Sequence, residues 1–117
     1  MPDALQFLPL SPHQFHILLA LTEGERHGYA IIQDVEARTD GELRLSAGTL
    51  YRSIQRMLEQ GLLAETRERP DPDEDDERRR YYRLTDFGQK VLKAEVQRIS
   101  KMVAVAQRKR LIAKPRS

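Results

Sequence analysis

Residues 46–61 carry the most regular helical pattern of the chain, and this pattern constrains the fold more than any other feature. Four apolar side chains recur at the spacing of a single helical face: Leu50, Ile54, Met57 and Leu58. Ser46 suits an N-cap, and Gly61 suits the left-handed position after the last turn. The sequence therefore predicts an amphipathic helix with one face in a core and a polar face left for solvent or a partner.

Two shorter helices are predicted before this one. Ser11 and Pro12 have the residue types of an N-cap and a first helical position, and the helix that follows is expected to end at Gly24. A second helix is predicted over residues 28–39, where the turn at Asp40 and Gly41 stops it.

A β-hairpin is predicted after the third helix. Residues 62–68 and 79–84 alternate in character, and a Pro- and Asp-rich stretch separates them. Three helices followed by a hairpin is the order of elements in a winged helix-turn-helix, in which the third helix enters the major groove of DNA. We expect a mainly α fold with a small β-hairpin wing.

The last helix is predicted to begin at Thr85 and Asp86. Its apolar residues recur at alternating steps of four and three, which is the spacing of a two-helix contact. Four of them are our candidates for a dimer interface: Leu92, Val96, Ile99 and Val103. The alternative is that these residues pack only on the first helix of their own chain.

Composition limits the other function classes. The 117 residues hold no cysteine, which removes disulfides and thiolate chemistry, and no apolar run long enough for a membrane span. With no secretory leader evident at the start, we expect a cytoplasmic protein. No nucleophile, base and oxyanion donor come together in the sequence, so we expect neither an enzyme nor a cofactor.

The polar face of the third helix carries groove-reading chemistry. Arginine can bond guanine edges and glutamine adenine edges, while hydroxyls and amides at a helix start can hold phosphate. The candidate DNA-binding residues here are Ser46, Thr49, Tyr51, Arg52, Gln55 and Arg56. The alternative is an ordinary solvated face, because the formal net charge of +2 is too small to indicate nucleic acid by itself.

Three ordered motifs resemble the PadR family of winged helix-turn-helix regulators. They are HGYAI (residues 27–31), GTLYRSIQRMLEQGLL (48–63) and RRRYYRLTDFG (78–88), within a resemblance that runs over residues 15–92. It implies a homodimer that binds inverted-repeat operator DNA, usually as a repressor. Thr49, Tyr51 and Arg52 match the family's DNA-facing helix start, and its basic wing strand corresponds to Arg78, Arg79 and Arg80.

The resulting organisation has three parts. We expect residues 1–85 to form the DNA-binding domain, 86–112 a C-terminal dimerisation helix and 113–117 a flexible tail. Some short members of the family bind flat aromatic drugs at the dimer interface. This chain has Ile99 and Met102 there and no tryptophan, which puts a stacking site in doubt but leaves room for a small-molecule effector of unknown identity.

Two rival functions stay open. A winged helix can bind another protein, in which case its association would lack the salt dependence of phosphate binding. A ligand-sensing protein with weak DNA affinity would instead gain thermal stability from a small molecule before any DNA is added.

Several other residues have structural interpretations that we favour. His13 and His16 could share a metal but have no obvious third ligand, and the family similarity gives His27 a structural place at the start of the second helix. The acidic run 71–77 is expected to be a wing tip rather than a calcium loop. One of Tyr81 and Tyr82 should face the core, and the sequence leaves open which one.

Overall fold

The computed structural model describes residues 3–66 and 80–113. These residues form a short 3₁₀ helix, Ala4–Phe7, and then four α-helices and three strands in mixed order. The helices are α1 Pro12–Ala20, α2 Gly28–Arg38, α3 Ala47–Glu59 and α4 Asp86–Arg108. The strands are β1 Arg26–His27, β2 Leu63–Thr66 and β3 Tyr81–Leu84.

Local capping explains where the helices begin. Ser11 and Gln14 form a reciprocal capping box at α1, and the hydroxyl of Thr85 accepts from the N–H of Gly88 at 2.9 Å at the start of α4. His27 caps α2, because its Nδ1 accepts from the N–H of Ala30 at 3.2 Å. The predicted helix starts and the structural place of His27 are confirmed.

The helix ends differ slightly from the predictions. α1 stops at Ala20 rather than at Gly24, because the chain turns at once after the helix. Gly61 follows α3 with φ of 78°, the left-handed conformation that its position in the sequence predicts.

The sheet has the order β1-β3-β2, with β3 antiparallel to both neighbours. β2 and β3 confirm the predicted hairpin, and they pair Leu63 with Leu84 and Thr66 with Tyr81. β1 was not predicted, since two residues are too few for an alternating pattern. The fold is thus mainly helical with a three-stranded rather than a two-stranded sheet.

The core lies where α1, α2, α3 and the start of α4 meet the sheet. Its fully buried side chains come from every layer: Ile17, Leu18, Ile31, Val35, Leu50, Ile54, Met57, Leu62 and Val91. The predicted apolar face of α3 is confirmed, although Leu58 is only half-buried.

α4 is covered along its first half only. Leu92 is buried in the core of its own chain, which corrects its assignment to the dimer interface, because this half of the helix packs on the body of the protein. Val96 and Val103 are exposed and Ile99 is half-buried. The second half of α4 therefore carries an apolar surface that the described residues leave uncovered.

A buried carboxylate joins α4 to the N-terminal segment. Glu95 is 1% exposed, and it accepts from the N–H of Leu10 at 2.7 Å and from Arg98, with which it forms an ion pair. The hydrogen bond from Arg98 holds the pKa of Glu95 below its usual range, and the N–H of Leu10 adds to this effect. Phe7 packs edge to face on Phe87, with ring centroids 5.5 Å apart.

Within residues 3–66 and 80–113, none of the helices combines the length and the apolar character needed to cross a membrane.

Candidate nucleic-acid interface

The start of α3 is held by a chain of hydroxyl contacts. Ser46 Oγ accepts from the N–H of Thr49 at 3.1 Å and donates to Thr49 Oγ1 at 3.0 Å. Arg52 donates from Nη2 to the same Thr49 oxygen at 3.4 Å. The capping residue therefore also fixes the threonine that steadies the first arginine of the exposed face.

The predicted DNA-reading residues share the outer face of α3. Arg52, Gln55 and Arg56 are exposed on the side opposite Leu50 and Ile54. Gln55 donates from Nε2 to Glu59 Oε1 at 3.3 Å, one helical turn further on. These groups can donate to base edges and phosphates along one stripe of the helix.

Arg56 lies towards a second feature, a groove between α3 and the N-terminal segment. The groove has a volume of about 740 Å³, and Arg56, Ser53 and Gln60 form its α3 wall. The opposite wall is formed by residues between positions 6 and 14. Arg56 thus stands at the edge of the exposed face of α3, whereas Arg52 contacts Thr49.

Tyr51 is shared between the core and the surface. Its side chain is 38% exposed, yet its ring lies against the start of α2, where a Cβ on Gly28 would be 2.5 Å from Tyr51 Oη. The glycine and the tyrosine of two separate sequence motifs thus pack on each other, which brings the N-termini of α2 and α3 together.

A cavity of about 380 Å³ separates α3 from the wing strands. Its lining combines residues of α3, β2 and β3 with the residue directly before β3: Tyr51, Ile54, Gln55, Leu58, Glu65, Arg80 and Tyr82. Arg80 pairs with Glu65 across the strands, with 3.3 Å between Nε and Oε1. The wing arginine therefore faces the same cavity as the predicted reading residues Tyr51 and Gln55.

The two wing tyrosines have different environments. Tyr82 is the core-facing one at 3% exposure, and burial, assisted by the negative charge of Glu65, raises its pKa to about 12. Tyr81 is half-buried and stacks edge to face on His27 at 5.7 Å between ring centroids.

Part of the predicted wing lies outside the described residues. This applies to Arg78 and Arg79 and to the acidic run 71–77. Of the three predicted wing arginines, the structure therefore describes Arg80.

Two exposed residues near the start of α3 were missed by the sequence analysis. Tyr29 is 63% exposed at the second position of α2, directly after the glycine that meets Tyr51. The side chain of Arg44, in the loop before α3, is 76% exposed, and its Nε lies 3.4 Å from Glu36 Oε1. An aromatic side chain off the apolar face of α2 was the available signal for Tyr29.

The two N-terminal histidines have separate roles. His16 Nδ1 lies 3.2 Å from Arg38 Nη1, and Arg38 Nη2 donates to the His16 carbonyl at 2.9 Å, which ties α1 to α2. Burial lowers the pKa of His16, and the charge of Arg38 lowers it further. Within the part of the chain that is described, no group of three or more histidine, aspartate or glutamate side chains could hold a metal.

Comparison with known proteins adds independent findings. A family model described as the transcriptional regulator PadR-like family matches residues 17–94. A transcriptional regulator from Clostridium thermocellum is 26% identical with a TM-score of 0.67, and the match covers 82% of this chain and 87% of that one. RosR from H. salinarum is 27% identical with a TM-score of 0.66, and the match covers 90% of this chain and 89% of that one.

A third structure shows a similar fold at lower identity. Bacillus subtilis PadR in complex with operator DNA is 19% identical with a TM-score of 0.63, and the match covers 75% of this chain and 48% of that chain, about half its length. No match was found among curated protein sequences.

Proposed function

Because the chain belongs to the transcriptional regulator PadR-like family, we propose that it is a sequence-specific DNA-binding repressor that binds an inverted-repeat operator as a homodimer. The observation that carries this proposal is the outer face of α3. There Arg52 is held by Thr49, and Thr49 is in turn held by the N-cap Ser46. An exposed arginine that is directed towards the first turn of its helix suits the reading of base edges.

The reading helix has two sets of donors, one for base edges and one for phosphates. Arg52 and Arg56 can make bidentate contacts to guanine, and Gln55 can read adenine once its amide leaves Glu59. Ser46 and Thr49 lie at the positive end of the helix dipole, where phosphate is favoured. Tyr51 and the exposed Tyr29 flank this end and would add hydroxyl contacts to the backbone.

The wing supplies the second contact. Arg80 faces α3 across the cavity, and Arg78 and Arg79 precede it in the sequence. Positive side chains at this place would neutralise phosphates beside the groove that α3 enters, which raises affinity for any DNA and fixes the orientation of the domain.

The second half of α4 supports the homodimer. Val96, Ile99 and Val103 lie along a stretch that the body of the protein does not cover. Pairing two such helices about a two-fold axis would bury this surface and present two reading helices to an inverted repeat. Residues 1–85 would then serve as the DNA-binding unit and 86–112 as the dimerisation helix.

Footprinting tests this proposal on the DNA upstream of the protein's own gene. We expect two protected half-sites, related by two-fold symmetry and about one helical turn of DNA apart. An Arg52→Ala variant should lose the protection at the protein concentration that protects fully with the wild type. Uniform protection, or none, would contradict sequence-specific binding.

A further inference from the structure

Glu65 of β2 and Arg80, the residue directly before β3, form an ion pair on one side of the wing. Glu65 stands opposite Tyr82 of β3, and these two side chains share a face of the sheet, which Arg80 reaches from just outside the strand. The Arg80 Nε to Glu65 Oε1 distance is 3.3 Å, and the two side chains are 46% and 21% exposed. The acid is thus the more enclosed partner of the pair.

One oxygen of the acid is enclosed. Glu65 Oε1, the oxygen that faces Arg80, is buried and has no hydrogen-bond partner among the described residues, so its pairing with Arg80 at 3.3 Å rests on charge. Beside it, Tyr82 is 3% exposed, and Ile54 and Leu58 of α3 line the same cavity. Glu65 therefore offers Arg80 a partly enclosed negative charge, whereas the charge of a fully exposed glutamate is screened by water.

A negative charge is unexpected on a face that is proposed to bind phosphate. A carboxylate beside a DNA backbone repels it, so a glutamate at this position lowers affinity for every sequence alike. The same glutamate can, however, raise the preference of the protein for one DNA sequence over another. An arginine held by a partner loses less side-chain freedom when it binds, and its contact depends on whether the DNA presents an acceptor at the right place.

We propose that Glu65 is a positioning residue for DNA recognition, holding Arg80 across the cavity from Tyr51 and Gln55 so that the arginine distinguishes operator from other DNA. The inference rests on the proposed function of DNA binding. Glu65 itself touches no DNA in this account and acts through Arg80 alone.

The test compares Glu65→Gln with Glu42→Gln. Glu42 is an exposed acid in the loop before α3, so both variants lose one negative charge. Affinities are measured for the footprinted operator and for an unrelated fragment of equal length. Glu65→Gln should lower the operator-to-unrelated affinity ratio at least fivefold, while Glu42→Gln should raise both affinities and leave the ratio unchanged.

A double-mutant cycle with Arg80→Ala separates positioning from general damage to the fold. In the Arg80→Ala background, Glu65→Gln should leave the affinity ratio unchanged, because the residue on which it acts is gone. A further fall in the ratio there, or equal behaviour of the Glu65 and Glu42 variants, would overturn the inference. Thermal unfolding of each variant accompanies the titrations.

The two proposals fail differently. A wild-type protein that binds both fragments equally contradicts the proposed function and this inference with it. A wild-type protein that selects its operator, together with a Glu65→Gln variant that selects it equally well, contradicts only the role of Glu65.

Discussion

Tyr51 of α3 packs so closely on Gly28 of α2 that a Cβ added to the glycine would lie 2.5 Å from the tyrosine hydroxyl and 2.9 Å from the adjoining ring carbon. The two residues belong to separate motifs and together fix how the N-termini of α2 and α3 meet. Since α3 is the proposed reading helix, this contact sets the angle at which it is presented.

Gly28→Ala tests that contact. The added methyl group must displace the Tyr51 ring or the start of α2, and we expect a loss of about 1 kcal/mol in the free energy of unfolding, together with weaker operator binding. Gly48→Ala is the matched control, because an added Cβ there meets only Arg52 Nη1 at 3.7 Å. Urea denaturation checks both, and equal stability of the two variants would contradict the packing argument.

Arg52→Ala is expected to weaken operator binding by about 1 to 3 kcal/mol, because the contact of this arginine to a base edge is lost. Arg56→Ala should weaken it too where that arginine pairs with a guanine. Arg108→Ala, at the far end of α4, removes the same charge away from the reading face. Fluorescence anisotropy at constant salt measures all three, and normal binding by both α3 variants would rule out α3 as the reader.

Ile99→Glu is expected to dissociate the dimer. Ile99 is half-buried on the uncovered part of α4, and an unpaired charge in an apolar contact between two helices is costly. Lys101→Glu changes an exposed neighbour and should leave the dimer intact. Sedimentation velocity gives the mass of each variant; an unchanged dimer of the Ile99 variant would exclude this interface.

The lowered pKa of His16 predicts a loss of stability on mild acidification. Burial and Arg38 lower its pKa in the folded protein below the ordinary value of 6.5, so the unfolded chain binds the proton more readily. The free energy of unfolding should fall as the pH drops below about 6.5. His16→Gln keeps an acceptor for Arg38 and should remove this part of the pH dependence, as urea melts between pH 7 and pH 5 would show.

The lowered pKa of Glu95 predicts a separate loss of stability at lower pH. Its hydrogen bonds from Arg98 and Leu10 lower its pKa in the folded protein below the ordinary value of 4.5, so the stabilisation is present above that pH and is lost as the pH falls below it. Glu95→Gln should be less stable than wild type at pH 7, with a smaller difference at pH 3. A difference that does not change with pH would contradict the role of the charge.

Elements that depend on local signals could be predicted from the sequence. The N-caps Ser11, Ser46 and Thr85 act on amides within three residues of themselves, so residue type and position were sufficient to place the helices. The face of α3 followed in the same way from its apolar spacing. The candidate readers Arg52 and Gln55 are exposed as a consequence.

The features of the fold that the sequence did not predict depend on contacts between distant segments. Glu95 meets Leu10 across 85 positions, and β1 exists only because β3 pairs with it. Leu92 and Val96 continue one apolar pattern, yet the first is buried and the second is exposed. Periodicity along one helix cannot indicate where its covering partner stops.

The most direct test of the account is a binding titration of the purified protein with the DNA upstream of its own gene, at low and at moderate salt, with an unrelated fragment as control. We predict selective binding of the upstream fragment, with an affinity that falls linearly with salt on logarithmic axes. Equal indifference to both fragments, or association that does not respond to salt, would contradict DNA recognition and favour a protein partner.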